Sequence, residues 1–378
     1  MRSWIERHRA LVDYSVNSLM RRKARNMSLW LVYSAVVFVL ASVMLFTHAL
    51  RQEANAVLTG APEITVQNIV MGRHALIPET DIEALSNIRG ARNARGRLWG
   101  YFYDTANGAN YTLMVPKASE APEAGHVKIG NGIATSRNLA VGKYLFLMTP
   151  RGTLFKLKVS EIFSHTSDLV AADLVMMADR DYRDFFQIPE GIFTDLVLNV
   201  RNEREVTKIA EKISAALPNS RVITRNDILR TYDSLFSWRE GILLAVLAGG
   251  LFAFVIFAWD KASGLSADER REIGILKAVG WDSADILSLK IWEGLLVSLG
   301  AFLFGYLIAY VHVFFFAASL FEPVLKGWAV LYPDIELTPV VDPLQVTTLL
   351  FFSVVPFVAA TLVPIWRAAI TDPDQVMR

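Results

Sequence analysis

Four uncharged apolar runs dominate the hydropathy pattern: residues 28–50, 241–259, 294–321 and 344–366, of 23, 19, 28 and 23 residues. About 20 apolar residues rising 1.5 Å each cross a hydrocarbon core of about 30 Å, so each run predicts a transmembrane helix. The third is longer than needed and is expected to tilt or to project beyond the bilayer. Ala54-Asn55-Ala56 loosely imitates a signal cleavage site. The first run nevertheless comes after 27 residues and exceeds the roughly 7–15 of a signal peptide, so a retained span is expected.

The flanks of these runs set an orientation. Residues 1–27 carry Arg2, Arg7, Arg9, Arg21, Arg22, Lys23 and Arg25 against Glu6 and Asp13. Residues 322–343 carry Lys326 against Glu322, Asp334, Glu336 and Asp342. Basic flanks stay in the cytoplasm. Both termini, the 260–293 loop and the 367–378 tail are therefore expected inside, with residues 51–240 and 322–343 outside. Within residues 1–27, Trp4, Ile5, Leu11, Val12, Val16 and Leu19 recur at helical spacing among the bases. That predicts an amphipathic helix on the inner membrane surface. The same bases also fix topology, and the two roles are compatible.

Residues 51–240 switch to a shorter, mixed periodicity. Residues 63–70 read as a strand, 78–87 as a short helix and 96–104 as a second strand. Far downstream, 194–200, 203–217 and 221–224 repeat the order strand, helix, strand. Two such halves can close into one α+β layer pair. Between them, residues 125–190 are rich in Gly and in β-branched or aromatic residues, predicting an inserted β subdomain. The fold class expected is an α-helical membrane protein with four transmembrane helices and an α+β extracytoplasmic domain. Asp227 is placed to cap a helix through Leu229, Tyr232, Leu235 and Phe236 into the second span, and the first span can continue outward through Ala49 to Leu58. The outer domain would then hang between two helical stalks.

Composition narrows the chemistry. Of 378 residues, 53% are hydrophobic and 20% charged, more apolar than an average soluble chain. Net charge is +1, which argues against a nucleic-acid partner. With no cysteine, disulfides, Cys-ligated zinc, iron–sulfur clusters and thiol catalysis are excluded. No phosphate loop of the G-x-x-x-x-G-K-[ST] form occurs, because Arg137 stands where Gly142-Lys143 would need an upstream glycine. H-E-x-x-H and G-x-S-x-G are also absent. No catalytic residue, metal ligand or cofactor is assigned to this chain. His48 and His312, in or near spans, have a proton or metal reading and a helix-contact reading, and the second is preferred. His74, His126 and His165 with Met176 and Met177 lack ligand spacing. Arg89, Arg92, Arg95 and Arg97 precede Trp99, Tyr101, Phe102 and Tyr103. That run reads either as a site for an anionic headgroup or partner, or as a solvated surface beside a core. Pro356 and Pro364 in the last run suit a hinge or a static helix equally.

The most informative segment lies in the 260–293 loop. Ile273, Leu276 and Lys277 share a helical face with Ala278–Val279 nearby, while Glu269, Arg270, Arg271 and Glu272 are expected to be exposed. Gly280 can end the helix in a left-handed conformation. Asp282 or Ser283 can then cap a second helix entering the third span. Such a short helix suits docking into a groove on a cytoplasmic partner, or serves as an ordinary interfacial connector.

Arg271-Glu272-Ile273-Gly274-Ile275-Leu276-Lys277-Ala278-Val279-Gly280 resembles the signature of FtsX-like permeases, the membrane subunits of MacB-type (type VII) ABC transporters that include the lipoprotein-releasing LolC/LolE pair. Pro364, Ala368-Ala369, Asp372-Pro373 and Met377-Arg378 resemble the ending of that family. The order of one span, a large outer domain and three further spans agrees. The resemblance implies a Porter-like split βαβ domain with an inserted β subdomain in the periplasm, and a place in the bacterial inner membrane. It implies that Glu269, Arg270, Arg271, Glu272, Ile273, Gly274, Ile275, Leu276, Lys277 and Gly280 belong to a coupling helix received by a separate ABC ATP-binding subunit. That subunit, as a dimer, would bind ATP and Mg. A second permease chain, identical or homologous, would pair with this one among membrane lipids, with room for a periplasmic or lipoprotein partner. The implied work is mechanotransmission: ATP-driven closure moves the outer domain to export or extract a lipid, lipoprotein, peptide or metal-linked substrate. The alternative is an FtsX-like scaffold that regulates an outer partner and transports nothing.

Overall fold

The computed structural model describes residues 2–163, 171–231, 234, 245, 248, 249, 252, 256, 267–321, 330, 331 and 337–370. The chain divides into two compact units. One comprises Met1–Leu50, Ser237–Ala318 and Thr338–Arg378, the other Arg51–Phe236 and Ser319–Leu337; after the orientation expected from the basic flanks, they are called the membrane unit and the outer unit.

The chain opens with α1 (Arg2–Arg21) and α2 (Lys23–Thr59), the latter running unbroken from the first apolar run through the expected stalk. The outer unit continues with β1 (Ile64–Val70), β2 (Arg73–Ala75), β3 (Ile77–Pro78), α3 (Thr80–Ser86) and β4 (Ala91–Arg97). Next come β5 (Trp99–Asp104), β6 (Ala109–Met114), β7 (His126–Ile129), α4 (Asn131–Ser136), β8 (Tyr144–Met148) and β9 (Leu154–Ile162). After β10 (Leu174–Met177), α5 (Asp179–Phe186) and β11 (Ile192–Phe193), the first architecture resumes with β12 (Asp195–Val200), α6 (Val206–Ala216) and β13 (Ser220–Thr224).

The two strand–helix–strand halves interleave in one sheet of order β13-β1-β12-β4, with β2 attached to β1. Its pairings are antiparallel: Ile64 faces Leu198 and Thr224, and Leu196 faces Gly96. Alternation along the strands decides the faces. Ile64, Val66, Leu196, Leu198 and Val200 form a core with Leu85 of α3 and Val206, Ile209 and Ile213 of α6. Both helices thus cover one face of the sheet.

The second core lies in a six-stranded sheet of order β5-β6-β10-β7-β9-β8, packed with Ile133 of α4 and Tyr182 and Phe185 of α5. This sheet begins at Trp99, upstream of the expected start near 125. The cause is a change of sheet at Leu98, which is buried between β4 and β5, so the single strand expected over 96–104 is two strands. The crossing is pinned. Arg97 donates to the Asp195 carboxylate through Nε at 2.8 Å and a terminal nitrogen at 2.6 Å, and Trp99 Nε1 donates to the same group at 2.8 Å. Asp195 is 0% exposed, so its charge is held by these donors rather than by water.

The helix after β13 starts differently from the expectation at Asp227. Residues 225–231 are helical. Thr224 accepts from the Asp227 amide at 3.2 Å, while Asp227 accepts from the Thr224 amide at 3.0 Å and hydroxyl at 2.7 Å. This reciprocal pair is a capping box, in which Thr224 is the cap and Asp227 its third-position partner. The bonds from Thr224 hold the Asp227 carboxyl below its ordinary range. Tyr232, Leu235 and Phe236 lie outside the described residues.

The membrane unit resumes with α7 (Ala267–Ala278), α8 (Ser283–Phe314) and α9 (Pro343–Ile370). Among the described residues, Asn26–Glu53, Ser283–Phe314 and Pro343–Ala360 are long and apolar enough to cross a bilayer. The expected span 241–259 lies largely outside the described residues, although Ala245, Ala248, Gly249, Phe252 and Ile256 are helical. Small residues let the helices close, as membrane packing requires. A side chain at Gly305 of α8 would meet the Ser34 carbonyl of α2 at 2.5 Å. Aromatic pairs flank these contacts: Trp30 lies 4.7 Å from Phe304, and Tyr33 stacks on Phe357 at 5.6 Å. The helix α9 includes both Pro356 and Pro364.

Candidate functional site

The loop signature folds as α7, and its ending is set by one residue. Gly280 has φ 102°, a conformation that costs a side-chain-free residue little. Its amide donates to the Lys277 carbonyl, and the Trp281 amide to the Leu276 carbonyl, both at 3.0 Å. These are the two bonds of a Schellman ending. Trp281 also packs with Leu276, Leu11, Tyr14, Leu289 and Trp292, which supplies the apolar contact that usually accompanies that motif. Asp282 holds the N-cap position of α8 with extended φ −72° and ψ 154°, but its side chain makes no cap bond.

The inward face of α7 consists of Ile273, Gly274 and Leu276, all buried. Ile273 packs with Ile286 and Trp281. Glu272 departs from the sequence expectation, since its side chain is only 17% exposed. Tyr14 Oη donates to Glu272 Oε1 at 3.2 Å, Arg21 donates to the same oxygen at 2.9 Å, and Arg22 donates to Oε2 at 2.7 Å. Periodicity within α7 could not reveal this, because the partners come from α1 and its junction with α2, some 250 positions away in the sequence. Burial, and then the Glu272 charge, pushes the Tyr14 hydroxyl above its ordinary range.

Helix α1 is anchored along its length. Arg7 pairs with Asp285, Ser15 Oγ donates to the Leu289 carbonyl at 3.2 Å, and Trp292 Nε1 reaches His8 Nδ1 at 3.2 Å. Its opposite side leaves Ile5, Val16 and Met20 exposed. The amphipathic helix therefore spends part of its apolar surface on protein and keeps part open.

On the outward side of α7, Arg271 and Gly280 are exposed, Ile275 is 51% exposed and Val279 75% exposed. Ile275 and Val279 stand four residues apart and so share a face. Lys277 is half-buried. Glu269 and Arg270 belong to the helix, but their side chains lie outside the described residues. Ala278 and Val279, expected near the face of Ile273, are exposed instead, and the four-residue spacing of Ile275 and Val279 on the opposite face was the usable signal.

The remaining candidates separate. His312 Nδ1 meets Ser42 Oγ at 3.2 Å and His48 Nδ1 meets Gln345 Nε2 at 3.2 Å, so both stand at helix–helix contacts. His74 lies beside Trp99 with ring centres 6.4 Å apart, and Met177 is buried in the inserted core. His165 lies outside the described residues. Among the described residues, no three His, Cys, Asp or Glu side chains gather to hold a metal ion.

Residues 241–373 match the family described as FtsX-like permease C-terminal. No curated protein matches the chain. Among solved structures, the periplasmic region of MacB from Actinobacillus actinomycetemcomitans is similar over 45% of this chain and 92% of that one, at 9% identity and a TM-score of 0.32. Three long apolar helices with the family match define a polytopic membrane protein. The matched region contains the Arg271–Gly280 signature and extends to Pro373, so it is this part of the chain that is similar to the C-terminal region of FtsX-like permeases. Residues 371–378 of that ending lie outside the described residues.

Proposed function

We propose that this chain is the membrane subunit of a MacB/LolCDE-type ABC transporter in a bacterial inner membrane. In this reading both termini and α7 are cytoplasmic and the α+β unit is periplasmic. A separate ABC ATP-binding subunit binds ATP and Mg and receives α7, and a second permease chain completes the assembly. The observation that carries the reading is the family match over a region whose signature helix leaves Ile275 and Val279 exposed. An apolar pair on one short helix face is what a groove on a partner accepts. Glu272, by contrast, is committed to Tyr14, Arg21 and Arg22. Its role is to hold α7 against α1, so that a push on α7 is delivered to α8 and to α2 beyond Arg22. The unbroken α2 then carries that motion outward. The cargo is an extracytoplasmic lipid, lipoprotein, peptide or metal-linked compound.

The test is a pull-down of the tagged full-length chain from native membranes in mild detergent, with mass spectrometry of the co-purifying proteins. An ABC ATP-binding subunit in about equal amount is expected from the unaltered chain, and its recovery should fall at least about tenfold with Ile275→Asp plus Val279→Asp, since buried apolar anchors dominate such interfaces. An unaltered chain that returns without an ATPase after crosslinking defeats the permease reading. Undiminished recovery by the double variant moves the contact away from this face. Cargo found with the complex separates transport from the regulatory scaffold.

A further inference from the structure

A cavity of about 570 Å³ opens on the outer unit, lined among others by Glu63, Arg92, Arg95, Lys117, Arg201 and Arg225. Its volume lies within the range of small-ligand sites. The strand β12 lines it from Val197 to Val200; within that stretch Leu198 and Val200 alternate with Val197 and Asn199 and join the core under α3 and α6. Val197 and Asn199 therefore present their side chains on the sheet face turned away from α3 and α6.

A regular strand would point residues 92 and 95 to opposite sides, since they are an odd number apart. Here Val197 pairs with Arg95 but Asn199 with Arg92, so β4 contains one extra residue. Asn93 takes a positive φ of 52° within that bulge. The bulge re-aims the strand and brings both arginines to the cavity side. Lys117 arrives from the connection between β6 and β7, and Arg201 comes directly after β12.

The charge is one-sided. The single acid of the lining, Glu63, accepts the Val200 amide. Arg225 donates to the Ala61 carbonyl at 2.9 Å. Among the described residues, Arg92, Arg95, Lys117 and Arg201 have no ion-pair partner. Arg97 of the same run does, in Asp195, and it stands outside the lining. A concave surface with several unanswered guanidinium groups favours a ligand that presents several oxygens around one centre, because each planar fork can donate two parallel bonds. A phosphate offers more such acceptors than a lone carboxylate.

The geometry points to this cavity as a binding site for a phosphate-bearing anion, the phosphate belonging either to a lipid headgroup or to a soluble compound. The site stands independently of the permease reading, since every lining residue belongs to the outer unit.

The experiment titrates the purified full-length chain, in non-ionic detergent at low salt, with inorganic pyrophosphate, dihexanoyl-phosphatidylglycerol and dihexanoyl-phosphatidylcholine, read by native mass spectrometry and calorimetry. Saturable binding of pyrophosphate or phosphatidylglycerol is expected, weakened about tenfold or more by Arg92→Gln plus Arg95→Gln, since charge-assisted bonds are lost. Arg89→Gln, on the same run but outside the lining, should leave binding unchanged. Phosphatidylglycerol alone identifies a lipid source, pyrophosphate alone a soluble one, and both a site that reads the phosphate itself. Lys117→Gln, in a connecting loop, repeats the test if the double variant misfolds, as judged by its elution and near-ultraviolet dichroism. Absence of anion binding, equal binding by the variants, or equally tight phosphatidylcholine binding overturns the proposal.

Discussion

The two units each contain a run of arginines, and the runs end differently. In the membrane unit, Arg21 and Arg22 close on Glu272. In the outer unit, Arg97 closes on Asp195, while Arg92 and Arg95 face a cavity whose one acid is turned to the backbone. The number of bases in a run therefore says little about its use. What decides is whether the fold brings an acid to meet them, and that acid comes from far away in the sequence in both closed cases. A paired arginine holds structure together; an unpaired one in a concavity is available to a ligand.

The largest effect should come from breaking the pair whose acid is fully buried. Arg97→Ala strands the fully buried Asp195 carboxylate and is expected to destabilise the outer unit by about 3–5 kcal/mol. Hydrogen exchange of β4 and β12 in the full-length chain measures this. An unchanged exchange rate would place Arg97 with the open arginines and dissolve the contrast.

A smaller effect is expected at Glu272, which keeps partial contact with water. Glu272→Gln should cost about 1–2 kcal/mol, less than a fully buried charged contact because exposure screens it. Since the chain has no native cysteine, spin labels at Asp13→Cys and Arg271→Cys report the separation of α1 and α7 directly. A broadened distance distribution in the variant is expected, and an unaltered one would mean that the apolar cluster alone holds α1.

The smallest effect belongs to Asp227, whose charge is answered by an exposed hydroxyl and amide. Its carboxyl is lowered from 3.8, so the stabilisation is present above 3.8 and fades as pH falls through the lower folded value. Protection of residues 225–231, corrected for intrinsic exchange, should drop over that acid range and not above it. Thr224→Ala removes the other half of the box at about 1 kcal/mol and should abolish this dependence.

Much of this was legible in local pattern. The interleaved strand–helix–strand halves, the ending at Gly280 and the long α2 come from alternation, helical spacing and residue chemistry close by in sequence. Three features did not. Leu98 divides one apparent strand between two sheets, because an apolar residue between two strand-like stretches looks the same whether the chain continues or crosses. Glu272 reads as exposed by the periodicity of α7, and only α1 reveals otherwise. Arg92 and Arg95 share a side only because one residue is inserted in β4, and local spacing gives no sign of where a bulge will fall.

That inserted residue makes the basic face tolerant of a change in length. Deleting a single codon at Asn93 or Ala94 would leave every arginine in place, hardly alter composition or charge, and set Arg92 and Arg95 two positions apart in strict alternation, still on one side opposite Val197 and Asn199. What would go is the bulge itself, and with it the bend and added twist it gives β4. A lineage could thus reshape the rim of the basic cavity by a length change rather than a substitution, and a position-by-position comparison of residue types would score both forms as the same.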